Sequence, residues 1–206
     1  MNGPVYIDWA FTSACNLNCR HCVGMQHNDL SRAEAAEVAR QIVALAPRWV
    51  ILEGGEPLLR PDLPELGRTF HKAGIDVYVD TNGNAFTQER LEALKSFSAK
   101  ALISIDGTDK ATYEYTKRGA NFEFALDWAG RCAQAGVFQG LMVVLSKVNF
   151  GQIDAFIKMT RDLGGKTIVF LPLKPGGRGE EAVAYYRASA LSAADHEKAI
   201  KQSDRI

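Results

Sequence analysis

The sequence predicts an α/β fold: an open, partial (β/α)6 barrel of the TIM-like type, with parallel strands inside and helices outside. Short apolar, β-rich runs alternate with helix-period segments along nearly all of the 206 residues. Such alternation implies parallel strands joined by right-handed helical crossovers. Eight units would close a barrel, and six leave it open. The main alternative is a doubly wound sheet, but the phosphate-binding fingerprint GxGxxG is absent after the first strand.

Each element has its own signal. Val5–Phe11 reads as strand one. Ser31 opens a helix with Glu34 three residues on, a capping box; Val38, Ile42 and Leu45 share one face, and Pro47 closes it. Trp49–Glu53 is strand two, running into Gly54-Gly55. Asp62 caps a helix with Leu63, Leu66 and Phe70 at helical spacing, and Ile75–Asp80 is strand three. Thr87 starts a helix bearing Leu91 and Leu94, and Ala101–Asp106 is strand four. A short helix near Lys110–Lys117 and a longer one over Phe122–Ala135 follow, the latter stopped by Gly136. Phe138–Ser146 is strand five, Gly151–Leu163 a helix and Thr167–Leu173 strand six. A glycine-rich loop at 176–179 leads to a helical tail near Ser192–Gln202. Residues 1–180 are the expected core domain and 181–206 the expected tail.

Composition removes several classes. Lys plus Arg and Asp plus Glu each number 24, a net charge of zero, so no dominant basic field for duplex nucleic acid is expected. No apolar run approaches the roughly 18 residues of a membrane span. The N-terminal residues lack the basic and apolar regions of a secretory signal. A cytoplasmic protein is expected.

The four cysteines stand at 15, 19, 22 and 132. Three fall in one loop after strand one, as Cys15-Asn16-Leu17-Asn18-Cys19-Arg20-His21-Cys22. A disulfide framework spreads its cysteines and accompanies secretion, whereas clustered thiolates favour zinc or an iron–sulfur cluster. Zinc asks for a fourth ligand, for which His21 and His27 are candidates. A 4Fe–4S cluster on three thiolates leaves one iron open. Cys132, beside Ala129 and Ala133 in a helix, reads as a buried structural thiol, and Trp9, Trp49 and Trp128 as packing residues.

The CxxxCxxC motif at Cys15, Cys19 and Cys22 resembles that of the radical S-adenosylmethionine (radical SAM) superfamily, and the likeness extends over essentially the entire chain. It implies that the three cysteines hold a 4Fe–4S cluster whose fourth iron is chelated by the methionine part of SAM. Reductive cleavage of SAM then gives a 5′-deoxyadenosyl radical that abstracts hydrogen from a substrate. Gly54-Gly55-Glu56-Pro57 matches the family's GGEP motif, implying contact with the methionine amino group; the glycines also suit an ordinary strand exit. Thr81-Asn82-Gly83 resembles the family's TNG segment, implying a ligand contact for Asn82, or is an ordinary polar turn. Ser104 and Asp106 alternate on strand four, so they share a side, and resemble the residues that bond the SAM ribose. Arg118 is a candidate partner for the SAM carboxylate or a solvated charge. His21 is counted with the cofactor-binding residues. Ser146 and Asn149 are candidates at the barrel mouth, Asn149 alternatively as a helix N-cap. Leu171-Pro172 either packs on adenine or belongs to the core.

The run LEGGEPLLRPDL, with SIDG and KRGANFEFAL, resembles the branch holding peptide maturases, haem-biosynthesis enzymes and the molybdenum-cofactor cyclase. Many of those continue into a cysteine-rich SPASM or twitch domain. Here no cysteine follows Cys132, so the chain reads as a minimal domain or as a shortened form of a longer protein. A peptide or small-molecule substrate and a flavodoxin- or ferredoxin-type electron donor are implied. The reading from the residues alone, a non-catalytic zinc module using the three cysteines and a histidine, is the competing one.

Overall fold

A computed structural model describes residues 3–24, 28–175 and 179–203. His27 and residues 176–178 of the glycine-rich loop lie outside the described residues. Six strands form one parallel sheet in sequence order: β1 (Tyr6–Thr12), β2 (Trp49–Gly54), β3 (Asp76–Thr81), β4 (Lys100–Ser104), β5 (Phe138–Leu145) and β6 (Thr167–Pro172). β1 pairs with β2 and β6 with β5, and the two do not meet, so the barrel is open as expected.

The helices arise where the sequence places start signals. In α1 (Arg32–Leu45) the Ser31–Glu34 capping box is formed. Its buried face is Ala35, Ala39 and Ile42, with Val38 packed beside it. Leu45 is 52% exposed, contrary to expectation, because it lies at the last turn beyond the sheet's reach. Asp62 precedes α2 (Leu63–Lys72) but makes no side-chain cap. Arg60 takes its carboxylate instead, through Nε to Oδ1 at 2.8 Å and a second bond to Oδ2. A bidentate charged pair outcompetes a neutral amide for that acceptor. Thr87 caps α3 (Gln88–Lys95), Asp109 caps α4 (Lys110–Thr116) and Asn121 caps α5 (Phe122–Gln134), each through its side chain. α6 (Ile153–Asp162) follows a single 3-10 turn.

The core lies between the sheet's outer face and these helices. Val50, Leu52, Val77, Val79 and Ile103 come from the strands; Leu66, Phe70, Leu94, Ala129 and Cys132 come from the helices. Cys132 is fully buried, and burial pushes its thiol up to about 12, consistent with a structural role. Trp9 packs edge-on against Phe70, and Trp49 stacks on Tyr6 at the sheet edge.

Beyond β6, two helices stand where the sequence suggested one. α7 (Gly179–Ser189) was not foreseen, since its apolar residues keep no helical stripe; α8 (Ala193–Ser203) matches the expected tail. α8 buries Ala199 against Val143, Leu145, Ile153 and Phe156, so it covers the β5–α6 end of the sheet.

Gly67, in the middle of α2, sits against the Phe97 ring, and a Cβ there would lie 2.6 Å from ring carbons. Gly67→Ala gains about 1 kcal/mol in helix propensity but forces a fully buried ring aside, costing about 1–3 kcal/mol. Urea unfolding should show Gly67→Ala as less stable than wild type, and higher stability would contradict the packing.

Candidate functional site

The C-terminal ends of the strands converge on one cavity of about 460 Å³. Cys15, Cys19 and Cys22 border it, together with His21, Gly54, Gly55, Asn82, Ser104 and Lys117. Residues far apart in the chain meet here because parallel strands deliver every β-to-α loop to the same end of the sheet.

The cysteine loop is fixed from both sides. On one side Asn18 N–H donates to Arg118 C=O at 3.1 Å and Arg20 N–H to Thr116 C=O at 2.9 Å. On the other, Gly55 N–H donates to Thr12 C=O at 2.7 Å and Glu56 N–H to Ala14 C=O at 2.8 Å. Asn82 Nδ2 donates to Asn16 Oδ1 at 2.8 Å and lies 3.8 Å from Cys15 Sγ, tying the TNG segment to the motif.

The GGEP segment is built for this junction. Gly54 has φ +136°, and a Cβ on it would lie 2.2 Å from Thr12 O. A Cβ on Gly55 would lie 2.2 Å from Ala14 O. The glycines therefore admit the backbone of the cysteine loop, the chain's own close approach. Glu56 is fully buried and does not border the cavity. Its carboxylate accepts from Leu58 N–H at 3.0 Å, Thr81 Oγ1 at 2.7 Å and Asn82 N–H at 2.8 Å. Burial outweighs these bonds and raises its pKa above the usual carboxylate range. The Glu56 side chain pins β2 to β3, and Pro57, also buried, starts the next turn.

Lys117 lies almost wholly buried under the cysteine loop. Its Nζ donates to Ser104 Oγ at 2.8 Å and stands 3.3 Å from Asp106 Oδ2. Burial would lower its pKa, but Asp106, Cys19 and Tyr113 outweigh this and hold it above the normal lysine value. Asp106 accepts from Val144 N–H at 2.7 Å through Oδ1, and its Oδ2 is 3.3 Å from His21 Nε2. Asp106 is thus an anchor behind the cavity and does not border it, whereas Ser104 does. For His21 burial lowers the pKa, and Asp106 opposes that. Sequence reasoning passed over Lys117; the charge pair Lys117-Arg118 reads as surface, and only the fold reveals which of the two turns inward.

Other expectations change as well. Arg118 is paired with Glu181 of α7, which also accepts from Arg20 at 3.1 Å, and it does not border the cavity. Asn149 caps no helix; its Nδ2 donates to Asp106 C=O at 3.0 Å and Val144 C=O at 2.9 Å, and its Oδ1 accepts from Ser146 N–H. It brackets β5 to the end of β4, which fixes it in the interior. Ser146 is buried beside it and outside the cavity lining.

The donor set suits the group implied by the motif. Three thiols, which are soft donors, ring one cavity, and burial pushes Cys19 up to about 11 with Lys117 opposing. The Cys19 thiol therefore holds its proton until a metal displaces it. Among the described residues no group of three Cys, His, Asp or Glu side chains converges on a single-ion position.

With the geometry established, comparison with known proteins defines the class. A sequence profile of the Radical SAM superfamily matches residues 9–160. This chain belongs to the radical SAM superfamily, whose members use a 4Fe–4S cluster and SAM. It is 31% identical over 204 residues to the AdoMet-dependent heme synthase of Methanosarcina barkeri, covering 96% of this chain and 57% of that protein. It is 30% identical to the mycofactocin maturase MftC of Mycobacterium tuberculosis, covering 89% and 48%. The structure of Streptococcus suis SuiB bound to S-adenosylmethionine superposes with a TM-score of 0.79 at 15% identity, over 98% of this chain and 47% of SuiB, and so shares its fold. The chain spans about half the length of the relatives it matches. No helix among the described residues is long and apolar enough to cross a membrane.

Two outcomes follow from this geometry. Gly55→Ala should lose about 1–3 kcal/mol of stability with no ligand present, because its Cβ meets Ala14 O; unchanged thermal unfolding would return the glycine to ligand approach alone. Burial, followed by Glu53 and Asp8, raises the Asp80 carboxyl to about 8. The folded state then binds a proton that the unfolded state releases near pH 4, so stability falls as pH rises from about 4 to 8. Asp80→Asn should flatten that decline by on the order of 1 kcal/mol in urea titrations at pH 5 and pH 9; an unaltered slope would show that Asp80 does not titrate there.

Proposed function

We propose that this chain is the catalytic core of a radical SAM enzyme, with Cys15, Cys19 and Cys22 holding the 4Fe–4S cluster. The observation that carries this is the ring of three thiols around one cavity, between the Gly54-Gly55 junction and Ser104. When bound, cluster and SAM supply reductive cleavage of the sulfonium and a 5′-deoxyadenosyl radical that takes hydrogen from substrate.

The chain's own residues prepare that site. Gly54, Gly55, Asn82 and Ser104 border the cavity, and the Ser104 hydroxyl, which accepts from Lys117, keeps its own proton for a polar ligand. Lys117, held by Ser104 and Asp106, adds a buried positive charge, which favours thiolates and a ligand carboxylate. His21, against Asp106, packs the floor. Glu56, Pro57, Asp106 and Ser146 act one layer back, keeping strands and loops in register. Arg118 holds α7 over the cysteine loop through Glu181.

A peptide or small-molecule substrate and a flavodoxin- or ferredoxin-type donor complete the reading, in a reducing, cytoplasmic setting. SuiB has been crystallised with its precursor peptide SuiA, and the relatives include a maturase, which supports a peptide. Residues 1–180 are proposed as the core domain and 181–206 as a C-terminal helical tail.

Anaerobic reconstitution with iron and sulfide, read by metal analysis and spin resonance with and without SAM, tests this. About one cluster per chain is expected, with a signal that changes on adding SAM. Cys15→Ala, Cys19→Ala and Cys22→Ala should each abolish it, and Cys132→Ala should not. One tightly bound zinc and no iron–sulfur signal would replace the proposal with a zinc module.

A further inference from the structure

The inner wall of the sheet carries an acidic patch that the proposed cofactor site does not use. Along β1–β3, residues alternate between the helix-packed core and the open inner face. Leu52 and Val79 pair in register and lie in the core, so the next residues, Glu53 and Asp80, stand side by side on the inner face. Both border the cavity, adjoining the cysteines and Ser104. Asp8 shares that face on β1, one position before Trp9, the register partner of Leu52.

Their surroundings leave this charge unmatched. Asp80 Oδ1 is completely buried and has no hydrogen-bond partner among the described residues. No ion pair engages Asp8, Glu53 or Asp80 among them, in contrast to Lys117, which is committed to Asp106 and Ser104. Lys174 is the one basic group whose field reaches Asp8 and Glu53, and it too borders the cavity. A buried carboxyl oxygen with no partner costs stability; three acids beside one lysine lack a counter-charge, and Asp80 keeps its proton at neutral pH until one arrives. Asp80 is raised to about 8 by burial and then by its two acidic neighbours, the condition that a bound cation relieves.

We propose that Glu53 and Asp80, backed by Asp8, form the substrate subsite of this cavity and take a cationic nitrogen group, an alkylammonium or guanidinium. This rests on the radical SAM reading and narrows it. The wall attracts a substrate presenting a basic side chain beside the cofactor and repels one presenting carboxylates, such as a carboxylate-rimmed tetrapyrrole.

The test uses the full chain without SAM, with 15N-labelled protein titrated by N-acetyl-lysinamide, N-acetyl-norleucinamide and coproporphyrin III. The lysine amide should bind at least about tenfold more tightly than its uncharged analogue, with shifts centred on residues 53 and 80. Glu53→Gln and Asp80→Asn should each weaken it about tenfold, and should leave the tetrapyrrole equal or tighter. Equal affinity of the two amides for wild type, or no binding of the lysine amide, would overturn the proposal whether or not the variants fold. So would tighter tetrapyrrole binding to wild type than to both folded variants. SAM cleavage by reconstituted wild-type protein is scored separately: its absence removes the radical reading, whereas cleavage with no amine preference removes only this subsite.

Discussion

The site depends on how closely the backbone leaving β2 approaches the backbone leaving β1. Two amides, on Gly55 and Glu56, bond to carbonyls of Thr12 and Ala14, and both glycines lie where a Cβ would strike an oxygen at 2.2 Å. This contact sets the start of the cysteine loop relative to the sheet. Glu56 then transmits that position to β3 through Thr81 and Asn82, and Asn82 returns to Cys15. A motif that reads as a ligand loop is first of all a splice between neighbouring strands.

Electrostatics complete the arrangement from the far side. Lys117 and Asp106 form an ion pair that is nearly inaccessible to water, with side-chain exposures of 3% and 1%. Burying two charges is costly and is offset only when other bonds complete their shells. Ser104 and the Val144 amide supply part of that completion, whereas Asp106 Oδ2 makes no hydrogen bond and faces Lys117 Nζ and His21 Nε2, each at 3.3 Å. The surface pairs of Arg20 and Arg118 with Glu181 are more exposed and individually worth little, although they bring α7 onto the loop. Tyr115 adds area there, with Arg20 over its ring and Tyr185 tilted beside it.

The open sheet gives the molecule two unlike faces. Its outer face is apolar and covered by helices. Its inner face carries Ser104, Met142, Glu53 and Asp80 toward the cavity, with Lys174 just beyond the end of β6. In a closed barrel such positions are filled by packed side chains. Here they form one largely polar wall of the cavity that the cysteines border.

The sequence by itself determined the six strands and their order, most helix starts, the buried role of Cys132 and the three-cysteine motif. These are local facts: alternation of period, capping residues and ligand spacing act within one turn or one loop. Tertiary structure decided which face of each motif was used. Glu56 and Asp106 turn inward to tie strands together, Lys117 rather than Arg118 enters the site, and Asn149 brackets two strands instead of capping a helix. Each outcome depends on partners more than ten residues distant, and no spacing in the chain encodes which of two neighbouring polar groups will find them. The α7 helix was missed for the same reason, since Ala182 and Tyr185 become a buried face only when Arg20, Arg118 and Tyr115 are brought beside it.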